Sequence, residues 1–429
     1  MVTTTPAGTR TVPPLSPTLE INERIRALQL RGESIVHLGF GEAGLPVANI
    51  LIDALVVSAA DNAYGPVAGS SALRDSVAGY FSRRSLATEP RQVMVGPGSK
   101  ALLYATLLAL DGDVVVPKPS WVSYVPQISL TGHQSIPVPI PAEAGGIPDP
   151  DYLRERLDAA RENGLVPKAM IITQPDNPTG TVASRARIEE IASIAGDYGL
   201  WVIADEIYRD LTYTPSDFVD IAEFLPEWTI VTSGLSKSLA LGGWRIGVMR
   251  VPDHDEGRKV LDAVAAIGSE VWSSVSAPVA AAAGVAFDEP PAVVDYIARA
   301  RTLHAKVSRA VFDVFESSGA TCRAPQGAFY MYPDLEFARG YANSRGIMTD
   351  VEMAKHLLEE FHVAVLPGSA FGDDADRFRF RVATSLLYGS TAQERLNTID
   401  WAMSGSADLP SHIADSIETV DEMLKALAS

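Results

Sequence analysis

Between residues 92 and 250 the sequence alternates short apolar runs with longer amphipathic ones, and this alternation restricts the fold more than any other feature. Strands are predicted at residues 92–95, 114–116, 134–138, 169–173, 200–204, 229–231 and 246–250, with helices at 101–110, 152–161 and 187–196 among them. Runs such as Leu200-Trp201-Val202-Ile203-Ala204 are apolar at every position. A strand of that kind is buried on both faces, which predicts an α/β architecture: a mostly parallel sheet between two layers of helices. Upstream, helices are predicted at 18–30, 49–60 and 71–82, with a short strand at 34–38. After residue 255 the pattern shifts to long helices at 256–269 and 291–317 and strand candidates at 328–332 and 377–382, the signature of a smaller α+β unit. Residues 413–427 predict a terminal helix on the surface, and residues 1–15, rich in Thr and Pro, predict an arm without regular structure.

Composition narrows the function classes. A net charge of -18 argues against general affinity for nucleic acid or anionic membranes, while leaving room for a basic pocket inside a cleft. The single cysteine, Cys322, excludes an intrachain disulfide and a cysteine-based metal cluster. No apolar run reaches membrane-spanning length, and the start lacks a basic segment ahead of an apolar one. A cytoplasmic protein without a metal is the expectation.

Several residues able to carry chemistry fall just past strand ends, where open α/β sheets bind ligands. Lys237 follows the run 229–231 through a Ser/Gly turn, and Arg245 stands eight positions on. A lysine among small and apolar neighbours can lose its proton and form a Schiff base; an arginine can grip a phosphate. A snorkelling surface lysine is the commoner fate. Gly96-Pro97-Gly98-Ser99-Lys100 opens a helix, suiting either an anion at its N-terminus or an ordinary cap by Ser99. Asp205 ends an apolar run and Tyr208 follows; they suit a protonated ring nitrogen and a ligand oxygen, or equally a helix cap and a packed ring. Asn177-Pro178-Thr179-Gly180 is a turn whose amide can face a cleft, and Trp121 is placed to stack on a ring or to sit in the core. Each signal is modest. Chance placement of Ser99, Trp121, Asn177, Asp205 and Lys237 at one sheet edge is improbable.

In this order and spacing these motifs resemble the fold-type I pyridoxal-phosphate aminotransferases, in the branch that includes aspartate aminotransferase. The resemblance runs from about residue 16 through residues 377–387. It also draws on Gly41-Glu42, Tyr64 with Gly69, Pro119-Ser120-Trp121-Val122-Ser123-Tyr124, Gly327-Ala328-Phe329-Tyr330 and Arg381. It implies a large cofactor-binding domain of residues 51–299 and a small domain of residues 16–50 with 300–429.

The implied roles follow residue by residue. Lys237 forms the internal aldimine and then shuttles the proton. Asp205 keeps the pyridine nitrogen protonated. Asn177 and Tyr208 bond the phenolate oxygen, and Trp121 stacks on the ring. Arg245, Ser236 and the Gly98, Ser99 and Lys100 segment hold the phosphate. Tyr64 reaches the phosphate of a neighbouring subunit, which implies a homodimer. Arg381 forks the substrate's α-carboxylate beside Gly41, Asn177 and Trp121, with Arg379 as the alternative. The implied reaction moves an amino group between an L-amino acid and a 2-oxo acid by a ping-pong cycle.

Some positions depart from the family. Ala43 follows Gly41-Glu42 where a proline is common, and Asp176 precedes Asn177 where an uncharged residue is common. Gly234 replaces a serine that often contacts phosphate, leaving Ser233 or Ser236 to substitute. Ser16, Thr18, Lys100 and, from a partner subunit, Trp272 and Ser274 are candidates near the substrate side chain. The same cofactor turned to elimination, cyclisation or oxidation is the alternative activity. A cofactor-sensing regulator would carry a DNA-binding domain first, whereas residues 1–15 alone precede the resemblance.

Overall fold

A computed structural model of the chain describes residue 13, residues 17–140 and residues 146–429. The arm expected over residues 1–15, apart from Pro13, and the candidate Ser16 lie outside the described residues.

The chain begins with α1 (Pro17–Leu30), β1 (Val36–His37), α2 (Asn49–Val57) and α3 (Ser71–Arg83). It continues through β2 (Val93–Gly96), α4 (Ser99–Leu110), β3 (Asp113–Lys118), α5 (Tyr124–Thr131), β4 (Ser135–Pro139), α6 (Pro150–Glu162) and β5 (Pro167–Thr173). Next come α7 (Arg185–Tyr198), β6 (Trp201–Asp205), β7 (Thr229–Gly234) and β8 (Gly247–Arg250).

The strands β2 to β8 form a seven-stranded sheet in the order β2-β8-β7-β6-β5-β3-β4. Only β8 runs against the rest, antiparallel to both β2 and β7, so all the others point the same way. Every residue of β2, β6, β7 and β8 is buried, as strands covered on both faces are. The fold is therefore α/β with a mostly parallel sheet.

Three long helices follow: α8 (Asp255–Val271), α9 (Ala277–Asp288) and α10 (Pro291–Ser317). The remainder is β9 (Tyr330–Met331), α11 (Arg339–Ser344), α12 (Asp350–Phe361), β10 (Val363–Ala364), β11 (Leu366–Pro367), β12 (Phe380–Ala383), α13 (Ala392–Met403) and α14 (Ser411–Leu427). Here β11, β12 and β9 make a small antiparallel sheet, and β1 pairs with β10. One core draws on residues from Leu51 to Ile297; another draws on Leu38, Leu45 and residues from Ala300 to Leu427.

Two readings of the sequence need correction. The terminal helix α14 is not merely a surface element: Ile413, Val420, Met423, Leu424 and Leu427 bury a full stripe in the second core. The helices α5, α9, α11, α12 and α13 went unforeseen. Pro126 falls in the first turn of α5, where a missing N–H costs nothing, and α9 is so rich in alanine that no amphipathic stripe announces it.

Candidate active site

The shared direction of β2, β3, β5, β6 and β7 puts the residues that follow them at one edge of the sheet. That edge opens on a cavity of about 500 Å³, closed on its far side by Gly41 and Glu42 after β1 and by Tyr330 and Arg381 from the small sheet. Gly41, Ser99, Lys100, Trp121, Asn177, Asp205, Tyr208, Ser236, Lys237, Arg245 and Arg381 all line it. Gly98 adjoins it, because a Cβ there would collide with the Arg245 guanidinium. Tyr64 is elsewhere, 91% exposed between α2 and α3.

Lys237 lies in the turn after β7, where its Nζ donates to the Gly41 carbonyl at 2.6 Å. Burial, and then the Arg381 charge, lower its ammonium from 10.5 to about 8. An amine held there is available as base and nucleophile near neutral pH. Asp205, the last residue of β6, is 3% exposed, and burial pushes its carboxyl up to about 6. The Tyr124 hydroxyl donates to its Oδ2 at 2.8 Å and Thr232 to its Oδ1 at 3.4 Å, both favouring the ionised form. The hydroxyls of Tyr208 and Tyr330 meet at 2.8 Å.

At the other corner, Gly98 takes φ +86 and opens the twelve-residue α4, leaving first-turn N–H groups free. Arg245 arrives in a left-handed conformation and donates to the Gly242 carbonyl at 2.8 Å. The Lys100 ammonium sits 4.9 Å from the Trp121 ring centroid, its pKa lowered by burial and by Arg245. A helix N-terminus with two cations is an anion site. The missing serine at 234 has a steric reason: a Cβ there would press on the Ile246 carbonyl and Gly247. Of its two possible substitutes, Ser233 bonds the Glu206 carbonyl at 3.4 Å, whereas Ser236 lines the cavity.

Arg381 is 2% exposed yet makes no ion pair among the described residues. Its Nη1 donates to Asn177 Oδ1 at 3.3 Å and its Nη2 to the Gly39 carbonyl at 2.8 Å, while Nε has no partner. A buried guanidinium with an idle N–H, open to a cavity, is built to receive a carboxylate. The alternative, Arg379, is already neutralised by Asp334 at 2.9 Å and Asp373 at 3.1 Å and does not line the cavity.

Asp176 lies outside the lining. It accepts from the Thr179 N–H at 3.0 Å and hydroxyl at 2.5 Å, locking the turn that presents Asn177. Trp272 ends α8 and packs beside Gly268 and Val67, away from the cavity, and Ser274 is likewise absent from its lining. Thr18 falls within α1. The sequence reading missed Thr173 and assigned no role to Tyr124, Tyr330 or Glu42. The signal was there for Tyr124, three residues after Trp121 in the same post-strand segment.

The family described as aminotransferase class I and II matches residues 42–386. The chain belongs to the class I and II aminotransferases. It is 32% identical over 398 residues to the aspartate aminotransferase of Geobacillus stearothermophilus, covering 89% of this chain and 95% of that one. It is 30% identical over 385 residues to the aspartate/prephenate aminotransferase of Cereibacter sphaeroides, covering 86% and 92%. Among solved structures, the aspartate aminotransferase of Thermus thermophilus with maleate superposes at a TM-score of 0.77 and 25% identity, over 91% of this chain and 97% of that one. As an aminotransferase of this family the protein uses pyridoxal phosphate and acts on amino acids and 2-oxo acids. The cavity fits that cofactor part by part: a depressed amine for its carbonyl, a buried carboxylate for its ring nitrogen, an indole face, and cations at a helix N-terminus for its phosphate. No helix among the described residues is long and apolar enough to cross a membrane, and no described cluster of His, Cys, Asp and Glu would hold a metal.

Proposed function

We propose that Lys237 is the attachment point and proton carrier of this aminotransferase, and that Arg381 receives the substrate's α-carboxylate. The observation that carries this reading is that an amine brought down to about 8 shares one cavity with a buried guanidinium lacking an acid partner. When bound, pyridoxal phosphate supplies a carbonyl carbon for the substrate's amino group and a protonated ring that draws electrons from the α-carbon. Asp205 faces the ring nitrogen as an ionised carboxylate. Asn177 and Tyr208 hydrogen-bond the ring oxygen, and Trp121 covers the ring. Arg245, Ser99, Ser236, the Gly98 backbone and Lys100 hold the phosphate. Lys237, once free, moves the proton at the substrate's α-carbon, with Gly41 bordering the substrate. The two cores support the division into a large unit of residues 51–299 and a small unit of 16–50 with 300–429.

The preferred donor is an acidic amino acid such as aspartate. The names of the relatives support this. Mixing the purified holoenzyme with a panel of amino acids should bleach the visible band of the bound cofactor fastest with aspartate, and 2-oxoglutarate should restore it. Equal rates with leucine or lysine would sink the acidic preference.

The working unit is a homodimer in the cytoplasm. Its support is a set of exposed apolar side chains: Val56 and Val57 of α2 are 68% and 84% exposed, Val271 65% and Tyr64 91%. The lone cysteine suits a reducing compartment. If Tyr64 reaches across the dimer, Tyr64→Ala and Lys237→Met protomers should complement, since each mixed dimer regains one intact site. Equimolar mixing after dissociation should recover roughly a quarter of wild-type activity by random pairing. Activity no greater than that of the unmixed parents would exclude sharing.

A further inference from the structure

We propose that Tyr124 is a positioning residue for Asp205: braced by Thr173, it fixes one carboxylate oxygen and keeps the shared proton on the cofactor's ring nitrogen. This rests on Asp205 being the partner of that nitrogen.

The argument is geometric. Tyr124 opens α5, immediately beyond the loop that follows β3, and is fully buried. Its hydroxyl lies 2.7 Å from Thr173 Oγ1 at the end of β5 and 2.8 Å from Asp205 Oδ2 at the end of β6. A phenol has one proton to give, and an ionised carboxylate only accepts. The Tyr124 proton therefore goes to Asp205, and the Thr173 hydroxyl donates to the Tyr124 oxygen. Two hydrogen bonds run in series in one direction, from β5 through α5 to β6, and the second ends on a single carboxylate oxygen. Trp121 packs edge-on to the Tyr124 ring at 5.2 Å and 81°, fixing its orientation.

Asp205 needs such a donor because burial favours its neutral form. A neutral carboxyl would compete with the ring nitrogen for the proton and weaken the ring's pull on electrons. Among the groups favouring the ionised form, Tyr124 contributes most, ahead of the Ile207 N–H, Thr232 and the Lys237 charge. The other ionisable groups nearby are Tyr208 from the loop after β6 and Asp176 from the loop after β5. Neither donates to Asp205, so neither replaces Tyr124.

Tyr124→Phe keeps the ring and removes the donor. In holoenzyme loaded with ¹⁵N-labelled pyridoxal phosphate, the ring nitrogen of the wild type should resonate as protonated, and that of Tyr124→Phe should move toward the unprotonated position. In cofactor-free protein labelled at aspartate carboxyl carbons, the Asp205 midpoint should rise by about one unit, a tenfold change in proton affinity. Thr173→Val should shift both in the same direction by less, and it carries the test if Tyr124→Phe fails to fold. An unchanged nitrogen resonance and an unchanged Asp205 midpoint in a folded, loaded variant would overturn the proposal and leave Tyr124 a packing residue. An unprotonated nitrogen in the wild type would instead overturn the assignment of Asp205 itself.

Discussion

Lys237→Met is expected to lower transamination by roughly 10⁴-fold or more, the combined loss of a nucleophile and a proton carrier, while making the cofactor-free protein more stable at pH 7. The two effects share a cause. The folded protein holds the amine at about 8 against its ordinary 10.5, chiefly by burial. Below about pH 8 both folded and unfolded chains carry the charge, and the cost of burying it is fully present. Between about 8 and 10.5 the folded chain sheds the proton while the unfolded chain keeps it, so the destabilisation fades as pH rises. Methionine keeps the aliphatic stem and removes the charge. The variant should therefore gain at most roughly 3 kcal/mol over the wild type at pH 7, converging on it near pH 10.5. Urea unfolding of both apoproteins across that pH range checks the sign. A variant less stable than the wild type at pH 7 would mean that the hydrogen bond to the Gly41 carbonyl outweighs the cost of burying the charge.

The second large effect is expected at Arg381. Arg381→Leu should reduce kcat/KM for amino acids by roughly 10²- to 10³-fold, within the range for removing one member of a buried, hydrogen-bonded charge pair. The cofactor should remain bound, since Arg381 stands on the small sheet and the phosphate corner is built from α4 and Arg245. Amines without a carboxylate should react equally slowly with both proteins. Arg381→Lys should recover little, because a point charge cannot replace the fork that Asn177 and Gly39 hold in plane. Measuring kcat/KM beside cofactor content separates the two roles; loss of cofactor from Arg381→Leu would show that the arginine serves the wrong group.

Much of this was readable from the chain. Strands buried on both faces announce themselves as unbroken apolar runs, and β5, β6 and β7 were found within a few residues of their ends. Lys237, Asp205 and Asn177 stood out together because all three follow the ends of such runs, although each alone has an ordinary structural reading. Contacts between distant segments were not readable. Nothing near Tyr124 tells that its hydroxyl meets Thr173 and Asp205, which lie 49 and 81 residues away. The resemblance favoured Arg381 over Arg379, but the physical reason, Asp334 and Asp373 neutralising Arg379, is a pairing invisible in a two-residue spacing. The role of α14 was misread because a helix's apolar stripe says that it packs, not how deeply.

The reversed strand β8 has a consequence for how such an enzyme can diversify. Because β8 returns antiparallel beside β7, with Gly234 opposite Gly247, Lys237 and Arg245 occupy one loop hung between two neighbouring strands. In their proposed roles, the spacing of covalent tether and phosphate clamp is thus set like the jaws of a fixed caliper, between two strands buried along their whole length. Arg381 and Glu42 belong to the opposite wall, which carries none of that calibration. Mutation can reshape that wall to admit another side chain, and the cofactor end of the gap keeps its measure.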